Sequence, residues 1–309
     1  MSPYVTALLI PVVLCGVGTV LVLRGKSWPA LLIAAALLLT GIYLGLAWAP
    51  PEAMMGDVQR IMYMHVPSVW MALLAMVLNF LCSVRRLMDS RPMLLVGAGL
   101  GVATVLLGVV LRFAMADEAN AKNAMIYCIT FGILFAVGAW VGSRIKSDLT
   151  SDALAEASAE IGLVFGANGV LLGSIWARPT WGVWWDWDPR LTSAAILLVA
   201  YSGYLALRKF VDDADKRAVW SAVVAIVSFV DVPIIYFSVR WWRSLHQIQS
   251  TPETISDPRM RFVLRFCAFT FLLIMIIWTR QRYLNARKAL ELETTVPDAL
   301  PSVRAGEAA

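Results

Sequence analysis

Two histidines are the residues of this chain whose type and position point most directly to chemistry. They are the only histidines among 309 residues, and they lie far apart as His65 and His246. A neutral imidazole is a common metal ligand. Each histidine stands at the edge of an apolar run, so an ordinary residue at a membrane interface is the alternative for either one alone.

A tryptophan-rich segment lies between them. Five of the 13 Trp fall between Trp176 and Arg190, and four of these stand within residues 181–187 with a Gly and an Asp. Tryptophan favours the membrane–water boundary, so an aromatic belt is the alternative. A belt would place only one or two aromatic residues at each helix end. The segment therefore predicts an aromatic platform with polar edges, because Trp combines a large apolar surface with one N–H donor.

Two imidazoles beside such a platform suggest the axial ligands of a haem. Zinc would need three or four ligands, and only Asp186 or Asp188 could complete a mixed site with the histidines. Haem carboxylates would need cations, which Arg supplies as a planar fork, although contact with lipid headgroups is the alternative for each Arg. The candidate arginines are Arg60, Arg178, Arg190, Arg240 and Arg243.

The composition predicts the elements that must position these residues. The chain is 60% hydrophobic and 15% charged, with a mean hydropathy of +0.72. Soluble domains average about 45–50% hydrophobic residues and about 25% charged residues. This excludes a soluble enzyme or a disordered chain and predicts an all-α, polytopic membrane bundle. Apolar runs of about 20 residues predict nine spanning helices. These are 4–23, 28–49, 66–84, 93–115, 124–143, 157–177, 191–207, 218–239 and 262–279.

The charges of the loops predict the orientation. Lys and Arg follow the first, third, fifth, seventh and ninth predicted helices, and such loops are usually cytoplasmic. The N-terminus is then outside and the C-terminus is cytoplasmic, with a mobile polar tail at 283–309. Both histidines and the tryptophan segment fall on the outer side. The four Cys lie inside apolar runs without a CxxC pair, which argues against a disulfide framework.

The tryptophan segment resembles the "WWD" motif, W-G-x-W-W-x-W-D, of haem-handling proteins. The matching residues are Trp181, Gly182, Trp184, Trp185, Trp187 and Asp188. The continuation 190–193 resembles the CcmC family of the cytochrome c maturation system, as do the stretches 60–67, 173–182 and 233–247. With their helices, these stretches cover about 30–87 and 157–282.

The resemblance implies that His65 and His246 are the axial ligands of the iron of haem b, a transiently bound cargo held on a platform of tryptophans. It also implies a bacterial inner-membrane protein whose haem site faces the periplasm. Such a protein presents haem to the chaperone CcmE, beside the transporter subunits CcmA and CcmB and the small subunit CcmD, and is not an enzyme. The alternatives are a haem–cytochrome c lyase of the CcsA/ResC type and a small-molecule transporter. The lyase branch typically continues with Pro-x-Glu, which is absent here, although Pro189 matches it.

The family usually has six helices, so three of the nine are additions. We therefore predict a single bundle over 1–282 with a core at 28–87 and 157–282. Helix 4–23 is an additional N-terminal helix, and about 93–144 is an inserted helical hairpin. Residues 283–309 form the cytoplasmic polar tail.

Overall fold

The computed structural model describes residues 3–87, 90–114, 125, 128–129, 132, 148–246, 255 and 257–295. Its helices follow one another along the chain. They are α1 Pro3–Ala7, α2 Leu9–Leu23, α3 Ser27–Tyr43, α4 Met62–Leu87, α5 Ser90–Ala114, α6 Asp148–Trp181, α7 Pro189–Phe210, α8 Ala214–Phe229, α9 Asp231–Trp241 and α10 Pro258–Thr295. A π-helical turn, Leu44–Trp48, extends α3, and a 3₁₀ turn, Asp57–Ile61, leads into α4.

The all-helical membrane architecture is confirmed for the described part of the chain. Six helical segments there are long and apolar enough to span a membrane: Ser27–Trp48, Asp57–Leu87, Thr150–Trp181, Pro189–Phe210, Ala214–Val239 and Pro258–Glu293. They correspond to six of the predicted spans. Leu9–Leu23 and Ala98–Val110 are shorter apolar helices, and 124–143 lies mostly outside the described residues. The count of nine therefore stays a prediction, as does the orientation of the termini.

Helices α4 and α6 form the centre of the bundle, and glycines allow them to approach closely. A Cβ atom at Gly169 of α6 would lie 2.9 Å from Val69 Cγ2 of α4, and one at Gly166 would lie 2.7 Å from Leu198 Cδ2 of α7. Apolar clusters flank this pair on both sides. One joins α4 and α6 to α10 through Phe165 and Phe271. Another joins α4 to α7 and α8, and it includes Met76, Leu197, Tyr201, Tyr204 and Ala225.

Two helices extend beyond their predicted ends because ion pairs stabilise their polar turns. Helix α6 begins at Asp148 rather than 157, where Arg208 of α7 makes two 2.8 Å hydrogen bonds to Asp152. Helix α10 continues to Thr295 rather than 279, and Arg282 pairs with Glu160 of α6. The tail predicted from 283 is therefore helical as far as Thr295; its mobility stays a prediction, and 296–309 lies outside the described residues.

The predicted hairpin at 93–144 is described only in part. Helix α5 forms its first arm, and a Cβ atom at Gly108 would lie 2.7 Å from Cys128 Cβ. The two arms are therefore close at this point. Its status as an insertion into the core at 28–87 and 157–282 stays a prediction.

Candidate functional site

A deep cavity opens at the end of the bundle where α4, α7 and α10 begin and α6 ends. We call this the histidine end, because His65 and His246 both line the cavity. The volume of about 480 Å³ lies within the range of about 300–1,000 Å³ typical of ligand pockets. Met76 also lines it, eleven residues after His65 on α4. At 1.5 Å per helical residue, the cavity reaches about 16 Å into the apolar bundle.

The ring of His65 is fixed by the backbone of α6. Its Nδ1 lies 2.8 Å from the carbonyl oxygen of Gly169. A carbonyl oxygen only accepts hydrogen bonds, so Nδ1 carries the proton and Nε2 keeps its lone pair. Gly173 makes room for the ring, because a Cβ atom there would lie 3.0 Å from His65 Cε1. This arrangement matches metal-binding histidines, which usually donate their second N–H to a carbonyl or carboxylate.

His246 is fixed instead by a carboxylate. Its Nδ1 lies 3.3 Å from Asp188 Oδ2, which also accepts a hydrogen bond from the Ser244 hydroxyl. The other oxygen, Oδ1, accepts the backbone N–H of Leu191 at 2.7 Å and so caps the N-terminus of α7. The Asp188 side chain is only 4% exposed. The carboxylate thus holds both the helix start and the imidazole, and it leaves His246 Nε2 with its lone pair.

The charges of this pair favour a neutral imidazole beside an ionised carboxylate. Burial, reinforced by the charge of Arg190, lowers the pKa of His246 to about 4, although Asp188 acts in the opposite direction. Burial raises the pKa of Asp188, but hydrogen bonds from Ser244, the Leu191 backbone and His246 outweigh it and leave the pKa below its ordinary value. At neutral pH, His246 is therefore uncharged, as a metal ligand must be.

The tryptophan segment forms one rim of the cavity. Trp181, Trp184 and Trp185 line it, whereas Trp187 is 74% exposed and touches the edge of the Trp185 ring. The Trp181 ring stands nearly perpendicular to the imidazole of His246, with centroids 4.8 Å apart. Gly182 ends α6 in the left-handed region with φ +81°, which glycine adopts without strain.

Trp176 belongs to the same wall, although the sequence motif leaves it out. It lines the cavity, is buried, and packs edge-on against Trp181 at 5.1 Å between centroids. The indole Nε1 atoms of Trp176 and Trp185 are buried without a hydrogen-bond acceptor among the described residues. Buried donors usually have partners, so these two nitrogen atoms are exceptions within the described part of the chain.

The structure separates the candidate arginines. Arg190 lines the cavity, but Arg60 and Arg178 do not. Arg60 donates to the carbonyl oxygens of Gly45 at 2.6 Å and Ala49 at 2.9 Å, and so ties the end of α3 to the following loop. Arg178 donates to the carbonyl oxygen of Gly182 and holds the turn after α6. Both guanidinium groups thus donate hydrogen bonds to backbone carbonyl oxygens around the site and stabilise the backbone there.

Arg240 and Arg243 are the two remaining candidates from the sequence. Arg243 is exposed and outside the lining, and the side chain of Arg240 lies outside the described residues. Sequence reasoning missed Arg261 and Arg265 of α10, which both line the cavity. Their spacing of four residues at the start of an apolar run was the available signal, because it places both on one helix face.

A purely protein-ligated metal site receives no support from the described residues, since no three His, Cys, Asp or Glu side chains converge among them. Asp188 contacts Nδ1 of His246 and does not line the cavity, and Asp186 also lies outside the cavity lining. The arrangement instead offers two imidazole nitrogen atoms, an aromatic rim and an apolar slot. These features fit a flat, largely apolar ligand with a central metal.

The fold and the cavity together define a multi-pass helical membrane protein with a ligand site at one end of its bundle. The chain belongs to the CcmC family: the family model for heme exporter protein C matches residues 92–295. The match includes the tryptophan segment, His246 and all of the predicted hairpin at 93–144, and it begins after His65.

Individual relatives agree with this assignment. Heme exporter protein C of Escherichia coli (strain K12) is 30% identical over 259 residues, which cover 83% of this chain and 82% of that protein. The protein of the same name from Bradyrhizobium diazoefficiens is 32% identical over 228 residues, or 74% of this chain and 65% of its own. A shorter match to heme exporter protein C of Haemophilus influenzae is 40% identical over 127 residues, or 40% of this chain and 51% of its own.

Proposed function

We propose that this protein handles haem during cytochrome c maturation by holding haem b, as a transient cargo, between His65 and His246. The observation that carries the proposal is the paired histidine geometry. Both imidazoles line one cavity, and both use Nδ1 for a hydrogen bond that leaves Nε2 available to iron. The name of the relatives, heme exporter protein C, supports the same cargo.

The chemistry of this task is retention followed by release. Two axial imidazoles fill both open positions of a haem iron, so neither position remains for oxygen. The apolar slot receives the macrocycle, and Trp181, Trp184 and Trp185 offer flat surfaces at its mouth. This task makes and breaks only bonds between iron and histidine and leaves the macrocycle unchanged, which is why we propose a delivery subunit rather than an enzyme.

The proposal also covers the side of the membrane that the site faces and the proteins that receive the haem. We place the histidine end on the periplasmic side of the bacterial inner membrane, because the short loops at the opposite end carry Lys and Arg. There the protein presents haem to the chaperone CcmE as part of a complex with CcmA, CcmB and CcmD. The exposed Trp184 and Trp187 beside the cavity offer such a partner an aromatic contact.

An absorption spectrum of the purified protein tests the site. We expect the spectrum of six-coordinate, low-spin haem, and we expect His65→Ala or His246→Ala to weaken retention and remove the low-spin bands. Added imidazole should restore those bands in a folded variant, which separates loss of a ligand from loss of the fold. A protein that stays colourless after haem is added would contradict the proposal.

The lyase alternative makes a different prediction. Coexpression with an apocytochrome and no other maturation subunit should yield no covalently attached haem, whereas transfer to CcmE should proceed from the haem-loaded protein. Covalent attachment by this chain alone would favour the lyase.

A further inference from the structure

The charged residues that line the cavity all carry the same sign. Arg190, Arg261 and Arg265 line it, and no Asp or Glu does so within the described part of the chain. Asp188 lies directly behind the lining next to Arg190 and compensates its charge. The wall formed by α10 therefore presents two cations to the cavity.

Arg261 and Arg265 line the cavity at two different depths. They are four residues apart on α10, hence on one face, with Leu264 of the lining between them. Arg261 is the fourth residue of α10, just as His65 is the fourth residue of α4, and both helices begin at the histidine end. Arg265 is therefore about 6 Å deeper than Arg261.

Arg265 differs from Arg259 and Arg208 in its pairing. It lies inside the apolar span Pro258–Glu293, where a charge is costly and usually marks a functional site. Arg259, six residues earlier on α10, pairs with Asp257 at 3.2 Å, and Arg208 pairs with Asp152 at 2.8 Å. Arg265 makes no hydrogen bond or ion pair within the described ranges. Its charge calls for an anion that is not part of those ranges.

Arg261 is held in position by the loop before α10. Its Nη1 donates to the carbonyl oxygen of Ile255 at 2.7 Å, and Ile255 also lines the cavity. This hydrogen bond orients the guanidinium group beside the cavity. Arg is the residue of choice for carboxylates because its planar fork donates two parallel hydrogen bonds.

We propose that Arg261 and Arg265 form an anion subsite that binds the carboxylates of the cargo while its apolar part occupies the slot. The subsite rests on the proposed function, in which the cargo is haem and the carboxylates are its propionates. It selects a porphyrin with free carboxylates over the same porphyrin with esterified ones. Arg60 and Arg178, which the sequence suggested as partners of the haem carboxylates, donate to backbone carbonyl oxygens instead.

The test compares two porphyrins on the full-length protein in detergent. Iron protoporphyrin IX and its dimethyl ester have the same macrocycle and metal but differ in the charge of their side groups. Affinity is measured by titration of the absorption spectrum. The variants are Arg261→Gln, Arg265→Gln and Arg265→Lys. The matched control is Arg259→Gln, because Arg259 lies on α10 two residues before Arg261 but outside the cavity lining.

We expect the wild-type protein to bind the free acid about tenfold or more tightly than the ester, since each charged hydrogen bond contributes about one such factor. Each Gln variant should lose about tenfold in affinity for the free acid and keep its affinity for the ester. Arg265→Lys should retain part of the preference, and Arg259→Gln should retain all of it. The low-spin spectrum should persist in every variant, because the histidines are untouched.

Equal affinity of the wild-type protein for acid and ester would overturn the subsite and leave the paired histidines standing. Equal loss of both porphyrins in the Gln variants would also overturn it, because it would indicate a structural role. A wild-type protein that binds neither porphyrin would overturn the proposed function as well. Lipid phosphate is the other source of an anion. Loss of bound phosphatidylglycerol in Arg265→Gln, measured by native mass spectrometry, with unchanged porphyrin preference, would assign the arginines to lipid and not to cargo.

Discussion

Replacing Asp188 by Asn changes one oxygen atom to an NH₂ group and tests how His246 is held. The Asp188 Oδ1 atom accepts the Leu191 N–H at 2.7 Å, and Asn can keep this cap because it is as good an N-cap residue as Asp. The Oδ2 atom accepts from His246 Nδ1 and from Ser244. An NH₂ group there is a donor, so it favours the imidazole tautomer with the proton on Nε2. That tautomer cannot bind iron through Nε2.

The expected magnitude follows from this contact. Loss of a carboxylate behind a metal-binding histidine typically lowers metal affinity about 10–100-fold. We expect a loss of that size for haem in Asp188→Asn, with helix α7 intact. The low-spin bands should give way to a high-spin spectrum in which His65 is the remaining ligand. Added imidazole should restore the low-spin bands.

The assay is a haem titration of the purified protein followed by absorption, with Asp186→Asn as the matched control. Asp186 lies two residues earlier, is exposed, and is absent from the cavity lining. It undergoes the same loss of charge without touching His246. Wild-type affinity and a wild-type spectrum in Asp188→Asn would refute the reasoning, as would equal losses in both variants.

Three further predictions concern the walls and the support of the cavity. Gly173→Ala should lower haem affinity and weaken the low-spin bands, because its Cβ would lie 3.0 Å from His65 Cε1 and displace the ring. Trp187→Ala should leave haem affinity within about twofold, because the ring lies outside the lining, but it should slow haem transfer to CcmE. Arg208→Met should lower the thermal unfolding temperature, because removing one partner of a buried ion pair destabilises by about 3–5 kcal/mol and leaves Asp152 buried.

Each of these has a control within the chain. Gly203→Ala lies in α7 with open space around it, so it should not lower haem affinity. Trp220→Ala, in α8 and also exposed, should leave transfer unchanged. The double variant Arg208→Met, Asp152→Asn should be more stable than Arg208→Met alone. Equal results for variant and control would contradict the corresponding prediction.

Much of this arrangement could be predicted from the sequence, because hydropathy and span counting are strong signals in a membrane protein. Counting spans placed His65, His246 and the tryptophan segment at one end of the bundle, and the structure places all three around one cavity. Polar helical turns were harder to predict. The turns around Asp152 and Glu160 are stabilised by partners far along the chain, Arg208 and Arg282, which no local window contains.

The arginines show a second limit of sequence reasoning. A long side chain can donate in many directions, and its partners decide which one it takes. Arg60 stands five residues before His65, yet its guanidinium group turns to the carbonyl oxygens of Gly45 and Ala49. Arg265 lies two hundred residues from His65 in the chain, yet lines the same cavity. The packing of α10 against α4 brings it there.

The two histidines are anchored by different means, and the difference bears on release. His65 belongs to α4 and is held by a backbone carbonyl of α6, in the most closely packed helix pair of the bundle. His246 belongs to the segment between α9 and α10 and is held by one carboxylate. We therefore expect a haem bound as proposed to be released first from His246, which lies in a connecting segment next to the exposed tryptophans, and last from His65, which lies between two closely packed helices.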